Sequence, residues 1–347
     1  MKRWILILLL VLGMSVPVHA AELSPPKAPE QVQELMPAET ESFGEGLWFV
    51  LTSALKALEP ELAACCGVCL SVMAAVMLSS MLSSVPGMTR SVADLVSAMA
   101  IAILLFGGSR TLISAATDAV KTLSEYGKQL LPVMTAAVAA QGGVTASAAL
   151  YAGTAMFNAL LGTVIGSLLT PLVSIYLALS VANAALGDDL LSKLRDFGKW
   201  LVTWSLKTIL YVFTGYMTVT GVISGTADQA AVKAAKLTIS GAVPVVGGIL
   251  SDASETILVS AGLVKSAVGI YGLLALVAIV IGPFFRIALQ YLLLKLTAGI
   301  SGVLASKTIT GLIQDFSGAM GLLLAMTGAQ TLLLIISTVC LMKGVRG

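Results

Sequence analysis

Val268-Gly-Ile-Tyr-Gly-Leu-Leu-Ala-Leu-Val-Ala-Ile-Val-Ile-Gly282 carries no charged or amide side chain. After Pro283 the chain resumes with Phe284-Phe-Arg-Ile-Ala-Leu-Gln-Tyr-Leu-Leu-Leu-Lys-Leu-Thr-Ala298. Both stretches fit helices in hydrocarbon, because ~20 mainly apolar residues cross a bilayer and only intrahelical bonding satisfies the backbone there. The same pattern recurs at 62–84, 92–113, 145–168, 170–187, 200–224, 264–282, 284–304 and 317–342. Several of these runs are interrupted, so the expectation is an all-α, polytopic membrane helix bundle with seven or eight spans.

Composition agrees. Of 347 residues, 57% are hydrophobic and 11% charged, too few polar groups to cover a soluble core of this size. Mean hydropathy is +0.97. The net charge of +2, from 20 basic and 18 acidic residues, comes with no long basic run, so nucleic acid is not an expected partner and the lipid bilayer is.

The beginning reads as an address. Met1-Lys-Arg3 is a positive n-region, Trp4 to Met14 an apolar run, and Val18-His-Ala20 a small-residue cleavage site. Residues 1–20 are therefore expected to be a signal peptide, with an uncleaved anchor as the alternative. His19 is the only histidine. A cleaved chain would lack histidine-based acid/base, nucleophile and metal chemistry, and the protein is not expected to be an enzyme. Residues 21–61 form a short acidic extracytoplasmic segment, with eight Glu against Lys27 and Lys56 (−8 + 2 = −6). Pro25, Pro26, Pro29 and Pro37 keep its first half extended. A helix is expected from Glu39 to Leu58, with Leu47, Val50, Leu51, Ala54, Leu55 and Leu58 on one face. The segment is either a solvated linker or a docking element for a partner. The polytopic domain is 62–347. Seven spans would leave the basic tail Lys343 to Arg346 inside, and eight would leave it outside.

Two stretches between runs are amphipathic. From Gly187 to Lys199, the residues Leu190, Leu191, Leu194 and Phe197 share a helical face with Leu201, and Asp188 or Asp189 can cap the start. From Thr117 to Leu131, Val120, Leu123, Tyr126, Leu130 and Leu131 do the same. Ala119-Val-Lys121 precedes Pro132-Val-Met134 by the spacing that separates Ala231-Val-Lys233 from Pro244-Val-Val246, since 132 − 121 and 244 − 233 are both 11. Gly142-Gly143 and Gly247-Gly248 follow. Repeat halves 92–187 and 200–304 of three spans each would be inverted in the membrane. Later elements keep no common offset, so chance similarity is the alternative. Gly241 to Thr256 mixes Pro, Gly, Asp252 and Glu255 between apolar flanks, as an ordinary loop or as a re-entrant segment. The candidate conduit or re-entrant residues are Pro132, Gly142, Gly143, Pro244, Gly247, Gly248, Asp252, Glu255 and Arg286.

Other motifs weigh less. Cys65, Cys66 and Cys69 include a C-x-x-C, but inside an apolar helix cysteine is a small apolar residue, and no second ligand pair exists. Gly302 to Thr308 imitates a phosphate loop without its glycine before Lys307. No metal or cofactor is expected. Gly162-x-x-x-Gly166 and Gly221-x-x-x-Gly225 are helix-packing candidates. Asp94, Asn158, Asn183, Arg286, Gln290, Lys295 and Gln330 lie inside runs, where polar groups face protein or water. No acidic residue stands at close helical spacing to Arg286 or Lys295, so no buried ion-pair relay is expected.

From Leu130 onward the chain resembles the stage III sporulation protein AE family of endospore-forming bacteria. The likeness rests on Leu131-Pro-Val-Met-Thr-Ala136, on Gly241-Ala-Val-Pro-Val-Val-Gly-Gly-Ile-Leu-Ser-Asp-Ala-Ser-Glu-Thr256 and on Gly269-Ile-Tyr-Gly-Leu-Leu-Ala275. The resemblance implies a multi-pass component of a secretion-like channel complex linking mother cell and forespore, required for late forespore development and lying in the mother-cell membrane around the forespore. It implies as partners the other stage III A proteins, including a cytoplasmic ATPase and ring-forming subunits, and the forespore-side stage II sporulation protein Q. It carries over no catalytic residues. A self-sufficient secondary transporter and a purely structural anchor for extracytoplasmic rings are the alternatives.

Overall fold

The computed structural model describes residues 25–37, 42–82, 90–139, 144–219 and 267–343. A 3-10 helix at Glu30–Leu35 precedes α1 (Phe43–Ala57), α2 (Glu59–Leu82), α3 (Arg90–Ala139), α4 (Val144–Val164), α5 (Thr170–Leu186), α6 (Asp189–Val219), α7 (Ala267–Leu304) and α8 (Lys307–Lys343). Among the described residues the fold is all helical, as expected, and five helices are long and apolar enough to cross a membrane: Glu59–Leu82, Val92–Ala137, Leu150–Leu186, Val268–Leu304 and Lys307–Met342.

Two separations expected from the sequence do not occur. The runs 145–168 and 170–187 form one helix, joined by a π turn at Ile165–Leu169. Pro171 has no N–H to give, and the wider turn accommodates it: Thr170 N–H bonds back to the Ile165 carbonyl, and its hydroxyl donates to the same oxygen at 2.9 Å. The runs 264–282 and 284–304 likewise continue through Pro283, which sits inside α7. Proline removes one backbone bond there, but the preceding turns are enclosed from Leu273 to Ile281, and packing holds the helix together. Pro132, expected in a break, is an exposed residue within unbroken α3. The run 200–224 begins inside α6, which is not one of the five apolar helices, and its end lies outside the described residues.

Local chemistry explains the real ends. Ser42 caps α1 by accepting from Glu45 N–H at 3.5 Å. Gly187 closes α5 in the left-handed region at φ 66°, which glycine adopts without a Cβ penalty. Asp188 then accepts from Leu190 N–H at 2.8 Å and starts α6, settling the choice between the two aspartates. Of the face expected on the acidic segment's helix, Leu47, Val50, Ala54 and Leu58 are buried, Leu51 packs partly, and Leu55 is exposed.

α8 is the axis. It packs against α7, α3, α5, α4 and α6, and from Ala319 to Leu341 it is enclosed on nearly its whole circumference. Its polar residues in this stretch mostly turn inward on their own helix: Thr327, Thr331, Ser337 and Thr338 each donate to a carbonyl three or four residues back. α7 and α8 form an antiparallel hairpin, with Ser317 Oγ donating to the Tyr291 carbonyl at 3.3 Å. Alongside α7, α2 runs in the same direction, pairing Glu61 with Arg286 and Met73 with Ser301. The repeat half 92–187 corresponds to α3, α4 and α5, whereas 220–266, the middle of the other half, lies outside the described residues.

Candidate functional site: polar contacts between the long helices

Three polar contacts tie distant helices together. The first is an ion pair between Arg286 of α7 and Glu61 at the start of α2, each partly exposed. Helical spacing could not reveal it, because the partners are 225 positions apart. The usable signal was Glu59-Pro-Glu61 standing directly before an apolar run. In a low-dielectric setting each charge is costly alone, and the pair places them together.

The second contact joins α5, α6 and α8. Arg195 Nη1 lies 2.8 Å from Asp315 Oδ2, and Tyr176 donates its hydroxyl to Asp315 Oδ1 at 3.2 Å. Gly318 makes room, since a Cβ there would stand 3.0 Å from the Tyr176 hydroxyl. Burial works against the Arg195 charge, but Asp315 beside it, with Asp196, outweighs that and holds the guanidinium more firmly protonated than usual. Asp315 escaped the sequence reading because it precedes the run 317–342.

The third lies in the core. Gln330 Nε2 donates to Asn158 Oδ1 at 2.6 Å, and Asn158 Nδ2 donates to the Ser124 carbonyl at 3.1 Å, with Asn158 and Gln330 fully buried. Among the described residues Gln330 Oε1 has no partner. Gly127 makes room beside Asn158: a Cβ would approach Leu334 to 2.6 Å and Asn158 Nδ2 to 2.9 Å. Both amides were picked out in the sequence, but not as a pair.

The acidic segment docks on its own chain. Tyr126 donates to the Pro26 carbonyl at 3.3 Å, and Tyr271 accepts from Ala28 N–H at 3.3 Å. Elsewhere Lys295 Nζ lies 5.8 Å from the Tyr291 ring centroid, and Gln290 is buried. Cys65, Cys66, Cys69 and Cys340 are free thiols. Among the described residues no cluster of His, Cys, Asp or Glu could hold a metal. Gly142, Gly143, Pro244, Gly247, Gly248, Asp252, Glu255, Gly221 and Gly225 lie outside the described residues.

The glycine pair Gly162 of α4 and Gly166 of the π turn divides. A Cβ on Gly162 would stand 2.9 Å from Ser124 Oγ, whereas Gly166 faces open space. Gly162→Ala is expected to lower stability by about 1 kcal/mol through that contact. Gly166→Ala is expected to be neutral or slightly stabilising, since alanine favours helix. The temperature at which each variant loses its monodisperse peak in detergent checks this, and equal effects at both positions would contradict it.

The profile of the family described as "Stage III sporulation protein AE (spore_III_AE)" matches residues 33–344, nearly the whole helical body. The chain belongs to the stage III sporulation protein AE family. The stage III sporulation protein AE of Bacillus subtilis (strain 168) is 25% identical over 209 residues. That alignment covers 60% of this chain and 52% of the relative, so the chain spans about half the length of the curated relative it matches. No solved structure matches. As a stage III sporulation AE family member, the protein has a role in sporulation, and its apolar helices mark a membrane protein.

Proposed function

We propose that this protein is an integral membrane component of a secretion-like channel complex that links mother cell and forespore and supports late forespore development. Its place is the mother-cell membrane around the forespore, with the signal peptide removed and the acidic segment outside the cytoplasm. The supporting observation is the family match over residues 33–344, which takes in all five apolar helices. In this reading the chain supplies a membrane core, and a cytoplasmic ATPase partner supplies energy. Ring-forming stage III A subunits and stage II sporulation protein Q complete the assembly.

Removing the gene is expected to let engulfment finish and then to lower a late forespore reporter to the level of a strain lacking the ATPase partner. Tagged protein solubilised in mild detergent is expected to bring down the ring subunits. Normal late expression in the deletion strain would refute the role, and solute uptake by the purified protein alone in liposomes would replace it with that of a self-sufficient transporter.

A further inference from the structure

α3 is one unbroken helix of 50 residues, about 75 Å long, far more than a bilayer needs. Its outward face changes character once. Val92, Val96, Met99, Ile103 and Phe106 are exposed and apolar, and Arg110, Ser114, Asp118, Lys121, Glu125 and Gln129 then continue the same stripe at three- and four-residue steps. The two cannot face the same medium, since a bare charge in hydrocarbon costs several kcal/mol, ~3 by insertion scales.

α2 and α7 change at the same level, whereas α4 and α6 still expose Leu160, Tyr211 and Val212 beyond it. Phe106 meets Phe316 edge-on at 6.2 Å, one residue from Asp315 and its Arg195 partner. Ser317 bonds to Tyr291, five residues from the Arg286–Glu61 pair. Past Arg286, α7 exposes Leu292, Leu296, Ile300 and Val303, whereas before it Leu273 to Ile281 are enclosed. α2 exposes large apolar side chains from Leu62 to Met81, which at 1.5 Å per residue (81 − 62 = 19) is about 29 Å, the thickness of the hydrocarbon layer. Just beyond Arg195, Phe197, Trp200 and Trp204 stack in an exposed row at 5.7 and 5.9 Å, the aromatic girdle expected at a headgroup layer. Lys295 leans back over Tyr291 toward the same level, as a snorkelling lysine does.

We infer that one face of the bilayer passes through the level of Arg110, Glu61–Arg286 and Arg195–Asp315, so that lipid covers the α2, α3 and α7 surface on one side of it only. On the other side α3, α7 and α8 continue as a protein-enclosed projection. The segment docked at Tyr126 and Tyr271 lies on this projection, about 24 Å beyond Arg110 along α3. This surface reading stands whether or not the sporulation complex is as proposed.

The test uses the full chain, with Cys65 and Cys66 changed to alanine, in liposomes containing brominated phosphatidylcholine. Single cysteines replace Met99, Ile103, Asp118, Lys121, Glu125, Gln33 and Met156, so that each part of the stripe is read at more than one exposed position. A membrane-impermeant maleimide is expected to label positions 118, 121 and 125 from the same side as position 33, and to miss 99 and 103, where bromine quenches an attached bimane. Met156 on α4 is exposed and apolar but adjoins Phe157, which packs on Phe213 well beyond the Arg195 level, and is expected to escape quenching. Labelling at 103, resistance at 118–125, or opposite sidedness of 33 and 121 would each overturn the inference. Quenching at 156 would overturn it too, showing that bilayer reaches that flank while α3 faces water within it.

Discussion

Asn158→Leu alone is expected to remove most of the folded protein from the membrane, whereas Asn158→Leu with Gln330→Leu is expected to restore much of it. The single change strands Gln330 Nε2 beside an Oε1 that has no partner among the described residues, in a fully buried setting, while the Ser124 carbonyl keeps its place in the α3 ladder. A newly unmet buried polar group costs about 1–3 kcal/mol, a large part of the ~5–15 kcal/mol net stability of a typical domain. The double change removes the polar demand from both side chains and leaves only the carbonyl, itself already inside a helix. Membrane abundance and thermal stability in detergent read the effect. A double variant no better than the single one would mean that the pair matters for shape rather than for hydrogen bonding.

Reversing the charge at Arg286 is expected to be the second large effect. Arg286→Glu puts two carboxylates together beside Pro283, where the native chain has an ion pair. Breaking a buried pair costs ~3–5 kcal/mol, and the partial exposure of both side chains reduces this to about 1–3 kcal/mol. The swapped variant, Arg286→Glu with Glu61→Arg, is expected to recover both membrane abundance and sporulation. Recovered abundance without sporulation would give Arg286 a role beyond holding α2 to α7. Full sporulation in Arg286→Glu would show that the contact does neither.

Helix and membrane character were legible because apolar runs leave few alternatives, and amphipathic periods announced the α3 stretch from Thr117 to Leu131 and the start of α6. The number of spans was less legible. The gap between 168 and 170 and Pro283 read as breaks in one dimension, yet a π turn and dense packing carry the helix through both. The polar residues were visible singly. Their partners were not, since Glu61–Arg286, Arg195–Asp315 and Asn158–Gln330 close across chain separations that no local spacing encodes. Tyr176 joined Asp315 for the same reason, through a notch left by Gly318 that only the folded bundle shows. The segment 21–61 was open between a linker and a docking element for a partner, and Pro26 and Ala28 within it contact Tyr126 and Tyr271 of the same chain.

The wide turn at Ile165–Leu169 has an effect along the whole column it interrupts. One surplus residue rotates everything after it by about 100° relative to a regular helix. Asn158 and Tyr176, which a regular helix would set at the same phase, are therefore offset by that angle, yet both meet α8, at Gln330 and Asp315. A straight rod would stack both on one line, since 176 − 158 = 18 residues make five full turns. The insertion turns the two grips off that common line, so that the rod holds the central axis at two heights from two of its own faces.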